Sequence, residues 1–502
     1  MLEFWRNPEF VRHARAELRP ARAVTAAVVA MVICVLVGLT CWSSEHENVR
    51  VFFRTFYAWL VGIQFVVLGV WSAAACGQAI SRERELKTYD FLKTTRLTST
   101  ELMVGKILGV PVLAYFVVAC SIPVSVLSGI LGGFSLRVLA GTYVLLLVFA
   151  LFFSLVGLWG SMLMEKSNVG AVGLLGLLPN GIALGFVDSS FPGFGALSVF
   201  PAIFSLHGLK EMEVARVTPS VFGVQVPFFF LTIFLYVVFG AWFALMLARN
   251  LKKDLEQIRL LSRWQAVGFV AFLNVLFFAF LDPRRVLTEV KWGMTSPQQV
   301  SVLVVGLNAA ILFIIGVATL TSHERLKVWW RRWTAGEESY LAEYGLPWPW
   351  LVPAAAIAYA LLAAEALGML RVLPLKEWQL GRAAVQLLVF LIFTTRDVMF
   401  LQWCALTRMK RPIVKGFLYL WLYYTAVGVS ALVASIVSTS GNRYIVALLT
   451  PYGMFNSQEV WPRFAPEICL GMVLQVGVIV FILKVITKRL QRPALVPASS
   501  AV

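Results

Sequence analysis

The chain has 502 residues, of which 59% are hydrophobic and 14% are charged, and its mean hydropathy is +0.80. This composition excludes a soluble globular domain and indicates a polytopic membrane protein, because apolar runs long enough to cross a bilayer recur along the sequence. The formal net charge of +17 falls mainly in short segments between those runs. Such cations orient a membrane protein and contact anionic lipid headgroups, so nucleic acid is not an expected partner.

The first predicted element is a basic amphipathic helix within residues 1–22. It follows Asn7-Pro8 and precedes the first apolar run. That run has no small-residue cleavage site and is long enough to remain as an anchor, so no removable signal peptide is expected. The basic residues of this helix are Arg12, Arg15, Arg19 and Arg22.

The segment 78–106 lies between two long apolar runs and is the most charged part of the first half. Its apolar residues recur at three- and four-residue spacing, which predicts a short amphipathic helix. Thr98 and Glu101 fit a capping box, so a second helix is expected to begin there and return to the membrane. Its six cations place the segment on the cytoplasmic side: Arg82, Arg84, Lys87, Lys93, Arg96 and Lys106.

Twelve membrane spans of about 20 residues are predicted in chain order. They are helices by elimination, because the alternation of a β-barrel is missing and backbone groups in lipid must bond within the segment. Pro111 and Pro123 are expected to kink the third span. The basic clusters then fall on one side, which predicts that both termini are cytoplasmic. The spans are 23–41, 57–78, 108–131, 139–164, 169–187, 227–248, 264–281, 300–320, 350–370, 383–395, 417–436 and 468–486.

An internal repeat divides the chain into two predicted six-span halves, 1–250 and 251–502. The run that begins at Ser81 matches the run that begins at Ser322 with one deletion, and Gly105 aligns with Gly345. Chance similarity among apolar helices is the alternative explanation. The first half contains the helix 1–22, the charged segment 78–106 and an outer loop 188–225. The second contains an amphipathic stretch 251–263, a degenerate charged segment 322–345 and a cytoplasmic loop 396–415.

The charged segment resembles the coupling-helix region of type-2, efflux-class ABC transporter permeases. The resemblance rests on Ser81-Arg-Glu-Arg-Glu85, Thr88, Asp90-Phe-Leu92, Thr95-Arg-Leu97 and Gly105-Lys106, and Asn7-Pro8 with its basic helix resembles the same class. It implies a membrane subunit that docks onto separate ABC ATP-binding subunits, in one or two copies, in a bacterial-type plasma (inner) membrane. The implied coupling residues are Ser81, Arg82, Glu83, Arg84, Glu85, Thr88, Tyr89, Asp90, Phe91, Leu92 and Thr95.

The resemblance also implies roles within the segment. Glu83 and Arg84 would be polar docking contacts, while Tyr89, Phe91 and Leu92 would fill an apolar cleft on the partner. The second coupling segment departs from the pattern, because it continues with tryptophan and arginine after Lys327. Its aromatic face is equally suited to lipid headgroups. Its candidate residues are His323, Glu324, Arg325, Trp329 and Trp330.

No nucleotide-binding motif of the G-x-x-x-x-G-K-[ST] type occurs, so ATP would be used by the partner subunit and no cofactor is expected on this chain. Neither the six cysteines nor the four histidines have metal-ligand spacing, so no metal site and no catalytic residues are predicted. The expected cargo is a small or lipid-like molecule of unknown identity.

Glu365 carries the main alternative interpretation. It is an acidic residue within an apolar run, and a proton-coupled secondary transporter requires such a group at mid-span. A non-transporting membrane scaffold is a further alternative, and no acidic pair or catalytic triad indicates a membrane-embedded enzyme.

Overall fold

The computed structural model of the chain describes the following residues: 6–45, 48–163, 180–185, 187, 192–208, 218–253, 258, 261–280, 310–314, 316–317, 319–339, 345–353, 355–356, 360, 377–407, 412–437, 449 and 461–491. The chain forms two compact units. The first comprises Met1–Leu260 with Ala279–Asp282, and the second comprises Leu261–Phe278 with Pro283–Val502.

The first unit is built from helices and one small β-hairpin. A single π-helical turn, Val67–Trp71, joins α3 and α4 into a long helix, and a 3₁₀ helix covers Pro192–Leu197. The elements are α1 (Pro8–Glu17), α2 (Pro20–Glu45), α3 (Val49–Val66), α4 (Ser72–Glu85), α5 (Tyr89–Thr94), α6 (Ser99–Gly109), α7 (Val112–Leu131), α8 (Leu136–Leu163), α9 (Val199–His207), β1 (Ser220–Val221), β2 (Val224–Gln225) and α10 (Phe228–Asn250).

The second unit contains further long helices: α11 (Arg263–Phe280), α12 (His323–Thr334), α13 (Glu377–Ala405), α14 (Pro412–Val437) and α15 (Trp461–Gln491). In the described part of the whole chain, seven helices are long and apolar enough to cross a membrane. They cover Pro20–Ser43, Val49–Glu85, Val112–Leu131, Leu136–Leu163, Phe228–Asn250, Leu388–Ala405 and Cys469–Gln491. The protein is therefore an all-α polytopic membrane protein.

Local sequence signals set several helix boundaries. The Asn7 side chain accepts backbone hydrogen bonds from the first turn of α1, with Pro8 at its first position. The predicted capping box is confirmed, because Thr98 accepts from the Glu101 backbone while Glu101 accepts from the Thr98 backbone at 2.8 Å. Pro111 separates α6 from α7, and Pro123 lies inside α7.

The charged segment does not fold as predicted at its start. Residues Ser81 to Glu85 continue α4 rather than forming a separate helix. The chain then turns through Lys87, which has a positive φ of 56°, and α5 follows with only six residues. The straight-chain residues of this stretch favour helix, so the membrane helix simply extends beyond its apolar part.

The structure extends the tenth predicted span beyond its predicted end. It was placed at 383–395 and followed by a loop 396–415, but α13 continues to Ala405 and carries Arg396 and Asp397 inside it. The two charges neutralise each other, so the helix continues through them. Glu365 and most of the predicted fifth span lie outside the described residues.

Helices α4 and α8 are in close contact at Gly157. A Cβ atom there would lie 2.3 Å from the backbone oxygen of Ala73, a contact that no side-chain rotation relieves. We expect Gly157→Ala to destabilise the first unit by about 1–3 kcal/mol, because a buried helix pair must move apart. Thermal unfolding in detergent measures this. Gly62→Ala is the matched control, since its Cβ meets no atom within 4 Å, and an equal loss in both variants would contradict the packing argument.

Candidate functional site

A buried ion-pair network joins α1, α4 and α6. The ammonium of Lys106, which has no exposed surface, lies 3.0 Å from Glu9 Oε1 and 2.6 Å from Glu83 Oε1. Arg12 donates to the same two carboxylate oxygens at 2.8 and 3.0 Å. The ring of His13 lies 3.1 Å from Glu9. The amphipathic helix α1 is therefore held to the end of the second span by charge-assisted hydrogen bonds.

Close backbone packing supports the same contact. Asn7 donates from its side chain to the Glu101 carbonyl at 2.7 Å. A Cβ added at Gly105 would lie 2.7 Å from the Cβ of Glu9, so only glycine allows α1 to lie this near α6. The predicted basic helix and the Gly105-Lys106 motif, separated by about a hundred residues in the chain, thus form one structure.

The network changes the titration of Glu9. Burial opposes ionisation, but the hydrogen bond to His13 and the charges of Lys106 and Arg12 outweigh it and lower the pKa of Glu9 from 4.5 to about 2. A carboxylate with a depressed pKa stabilises the fold above its unfolded pKa and loses that contribution as the pH falls.

We therefore expect the thermal stability of the first unit to decline between pH 4.5 and pH 2, by about 3 kcal/mol from this group. The measurement is the unfolding temperature of the purified chain across that range. A Glu9→Gln variant lacks the titrating group, so its curve should be flatter. Parallel curves for the two proteins would contradict this assignment.

The carboxylates of Glu9 and Glu83 and the ring of His13 bring three ligand atoms within 4.8 Å of one another. Three such atoms are a possible metal-ligand set. Here Lys106 and Arg12 already occupy the space between the carboxylates and neutralise them. The arrangement is therefore an ion-pair network.

The short helix α5 has one buried and one exposed face. Tyr89 and Leu92 are each 4% exposed and pack in the core with α4, α6, α8 and α10. Phe91 is 73% exposed and Leu86 is 64% exposed. The expectation that Tyr89 and Leu92 enter a cleft on a partner is therefore wrong, because both are already occupied inside this chain. Phe91 is the residue of that group that protrudes.

Three contacts connect the end of α4, α5 and the turn after α5 to other spans. The Tyr89 hydroxyl donates to the carbonyl of Leu251, at the end of α10. Lys252 donates to the Thr95 carbonyl at 3.0 Å. Arg84 donates to the carbonyl of Met162 in α8 at 2.8 Å. A displacement of α5 would therefore be transmitted directly to α10. It would reach α8 through Arg84 of α4, which lies over the Tyr89 ring at 4.9 Å.

Other predicted coupling residues also have internal roles. Glu83 belongs to the Lys106 network and Arg84 donates to α8, so both half-buried side chains already have partners within the chain, and their role as docking contacts stays a prediction. Ser81 is buried, and its amide donates to the Ser161 hydroxyl at 3.0 Å. Thr95 is half-buried. The remaining predicted residues are exposed: Arg82, Glu85, Thr88 and Asp90.

The second coupling segment forms α12. Trp329 is buried and stacks on Trp333 at 5.8 Å between ring centroids, in a cluster with residues of α13 and α15. The alternative that this aromatic face lies on lipid headgroups is thus wrong for Trp329. Of the other predicted residues, Glu324 is exposed and three are half-buried: His323, Arg325 and Trp330.

A second polar cluster lies near the middle of the candidate span Leu388–Ala405. Arg396 and Asp397 are each 6% exposed, and the guanidinium donates twice to Asp397 Oδ1, at 2.8 and 2.6 Å. It also donates to Tyr424 and Tyr423 of α14 at 2.9 and 3.1 Å, and to Gln475 of α15 at 2.8 Å. All five N–H groups of the arginine are engaged.

The sequence interpretation missed this cluster because it placed Arg396 in a loop. The usable signal was the apolar run that resumes after Asp397, since a loop would stay polar. Gln475 and the adjacent pair Tyr423-Tyr424 also stand within apolar runs. Polar groups in a membrane are usually paired with one another.

A scan against protein-family models finds no match to the chain, and searches of curated proteins and of solved structures find no significant match.

Proposed function

We propose that the protein is the membrane-spanning permease subunit of an ATP-driven exporter of the ABC class. One observation carries the proposal. Helix α5 is fixed by Tyr89 and Leu92 to the spans, yet it presents Phe91 outward from a chain that contains no nucleotide-binding motif. A protruding aromatic residue on a firmly held short helix is suited to insertion into a pocket of another subunit.

The proposed mechanism follows from the contacts of α5. ATP binding closes the partner subunits, on the cytoplasmic side, and moves the pocket that holds Phe91. Tyr89 and Thr95 are hydrogen-bonded to the residues that follow α10, and Arg84 at the end of α4 donates to α8. The movement therefore reaches α4, α8 and α10 together. The network around Lys106 keeps α1 and α6 in the same moving body.

We further propose that the chain is a fused pair of six-span units. A shift of 241 residues places α10 (Phe228–Asn250) within α15 (Trp461–Gln491). The same shift places α8 within α13 and Ser81 on Ser322. Two spans and the start of a motif are related by 241 residues, and Gly105 and Gly345 by 240 after the one deletion. This near-constant shift supports duplication over chance similarity.

Two equivalent side-chain contacts add support. In the first unit, the Ser161 hydroxyl accepts from the amides of Ile80 and Ser81 at 3.0 Å. In the second, the Gln402 amide group bonds both the N–H and the carbonyl of Thr321, at 2.9 and 2.8 Å. The same shift relates these positions, so a polar side chain of the fourth span holds the start of each coupling segment.

The two coupling segments nevertheless differ at their tips. After the one deletion in the second run the offset is 240, as for Gly105 and Gly345, so the position of Phe91 corresponds to Arg331, an exposed charged residue. The first segment is therefore the proposed principal docking site for an ATP-binding subunit.

We expect Phe91→Asp to weaken association with the ATP-binding subunit by at least about tenfold, because a buried phenylalanine contributes about 1.5–3 kcal/mol. The measurement is co-purification from native membranes, read by mass spectrometry. Val224→Asp is the control, since Val224 is also exposed but lies on the hairpin at the other end of α10. Unchanged recovery of an ATPase with Phe91→Asp would contradict docking through this residue.

A proton-coupled secondary transporter is the second candidate function. The mid-span carboxylate of Asp397 favours it, because such groups mark ion pathways. Uptake or release driven by a pH gradient in proteoliposomes, without ATP and lost in Asp397→Asn, would establish it. Glu365, the earlier candidate for this role, lies outside the described residues.

A further inference from the structure

We infer that Arg396 is a binding site, within the membrane, for the uncharged oxygen-bearing head of an amphiphilic molecule. The site lies between α13 and α14. The ligand would take the place of the Tyr423 and Tyr424 hydroxyls on the guanidinium. This inference does not depend on a partner ATPase.

The guanidinium of Arg396 has two hydrogen-bonding edges with different partners. Its Nε and Nη2 atoms both donate to Asp397 Oδ1. Its other edge, Nη1 and Nη2, is occupied by the two tyrosine hydroxyls, at 3.1 and 2.9 Å. An arginine edge of this kind accepts two neighbouring oxygen atoms in a planar fork.

The second step concerns which partners can leave. Asp397 is the next residue on the same helix, so it neutralises Arg396 however the neighbouring helices move. The tyrosines belong to α14, and they are neutral. If α14 moves away, Arg396 and Asp397 still neutralise each other. The arginine edge then exposes two donors that require new acceptors, and Asp397 Oδ2 loses the hydrogen bond that Tyr424 donates at 2.6 Å, so a hydroxyl-bearing head can replace both.

The packing of α14 is the third step. Of the α14 residues whose side chains the structure describes, only Gly416 and Val427 are buried. Most of the others are exposed, as expected for a helix that faces lipid. The contacts of α14 with α13 include Gly416 against Leu401 and Cys404 and the two tyrosine hydroxyls against Arg396 and Asp397. A molecule dissolved in the bilayer can reach this boundary from the side.

Charge selects the class of ligand. Arg396 and Asp397 together are neutral, so an anionic head would add an uncompensated charge near mid-membrane, and a cationic head would meet the guanidinium. A diol, ester or sugar head offers neighbouring oxygen acceptors without charge. An acyl chain then replaces the lipid contacts of α14.

The polar cluster is also not required by the helix packing itself. Under the 241-residue shift of the proposed duplication, Arg396, Asp397 and Gln475 correspond to Leu155, Val156 and Phe234, which are apolar. Helices in the first unit therefore pack at these positions without a buried charge, and ion pairs replaced by apolar residues often leave stability unchanged.

Photolabelling in nanodiscs tests the inference. The probe is a monoacylglycerol with a photoreactive group near its head, compared with the fatty acid and the alkylamine of the same chain length. Mass spectrometry locates the labelled peptides. We expect saturable labelling of α13 and α14 by the monoacylglycerol, with the two charged probes labelling more weakly. Stronger labelling by the fatty acid, or labelling elsewhere, would overturn the inference.

Two variants separate binding from a structural role. Tyr423→Phe with Tyr424→Phe removes the competing acceptors, so the apparent affinity for the monoacylglycerol should rise by about tenfold. The double variant Arg396→Leu with Asp397→Val introduces the residue types found at the corresponding positions of the first unit. It should abolish saturable labelling while the protein remains folded. Unchanged labelling in either variant would show that the guanidinium does not bind the probe.

Discussion

Replacing Lys106 with alanine is expected to release α1 from α6 and to lower the stability of the first unit by about 3–5 kcal/mol. The ammonium lies between Glu9 and Glu83, and its loss leaves two carboxylates close together with only Arg12, a half-exposed residue, and His13 near them. Breaking a buried ion pair costs more than the pair contributes, because the remaining charge stays without compensation. Thermal unfolding and the rate of proteolysis within α1 measure the effect.

A surface pair provides the matched control for Lys106. Lys93, whose side chain is 20% exposed, lies 2.8 Å from Asp90, whose side chain is 81% exposed. Its loss leaves Asp90 solvated, so Lys93→Ala should change stability by less than about 1 kcal/mol. Adding Glu9→Gln to Lys106→Ala should recover part of the loss, since it removes one stranded charge. Equal effects of the Lys93 and Lys106 substitutions would contradict the buried network.

Replacing Arg396 alone with leucine is expected to destabilise the second unit by about 3–5 kcal/mol. Asp397 would then remain buried near mid-span, with Tyr424 as its hydrogen-bond donor at 2.6 Å. Asp397→Val alone should cost a similar amount, because Arg396 would then be the uncompensated charge. The double variant, Arg396→Leu with Asp397→Val, should be near the wild type in stability.

A double-mutant cycle compares the stabilities of the wild type, the two single variants and the double variant, each measured by thermal unfolding in the same detergent. The expected result is a coupling energy of several kcal/mol between the two positions. Each single substitution leaves a buried charge without its partner, whereas the double substitution removes both charges. Additive losses would contradict the neutral-pair description. They would also remove the stability argument on which the ligand site near Arg396 depends.

The sequence by itself determined the class of the protein. Apolar runs longer than a bilayer requires, joined by short basic segments, leave few alternatives to membrane helices. It also determined the start of α1 at Asn7 and the start of α6 at Thr98. Both are capping interactions between residues within one turn, so residues close in sequence are sufficient to predict them.

Side-chain burial was decided by the tertiary structure. The sequence pattern of the charged segment predicts the same environment for Tyr89, Phe91 and Leu92, yet two of them are buried and one protrudes. The difference depends on α8 and α10, whose residues follow far along the chain. A stripe of apolar residues predicts that a helix has a buried face, but it does not tell whether this chain or a partner covers it.

The two buried charge clusters show the same limit more strongly. Lys106 was an orientation signal in the sequence, and Arg396 was the start of a loop. In the structure each is enclosed by oxygens from helices distant in sequence. Whether a charge is solvated or buried depends on partners that long-range folding supplies, and its energy changes by several kcal/mol with that choice. Only the tertiary structure places those partners.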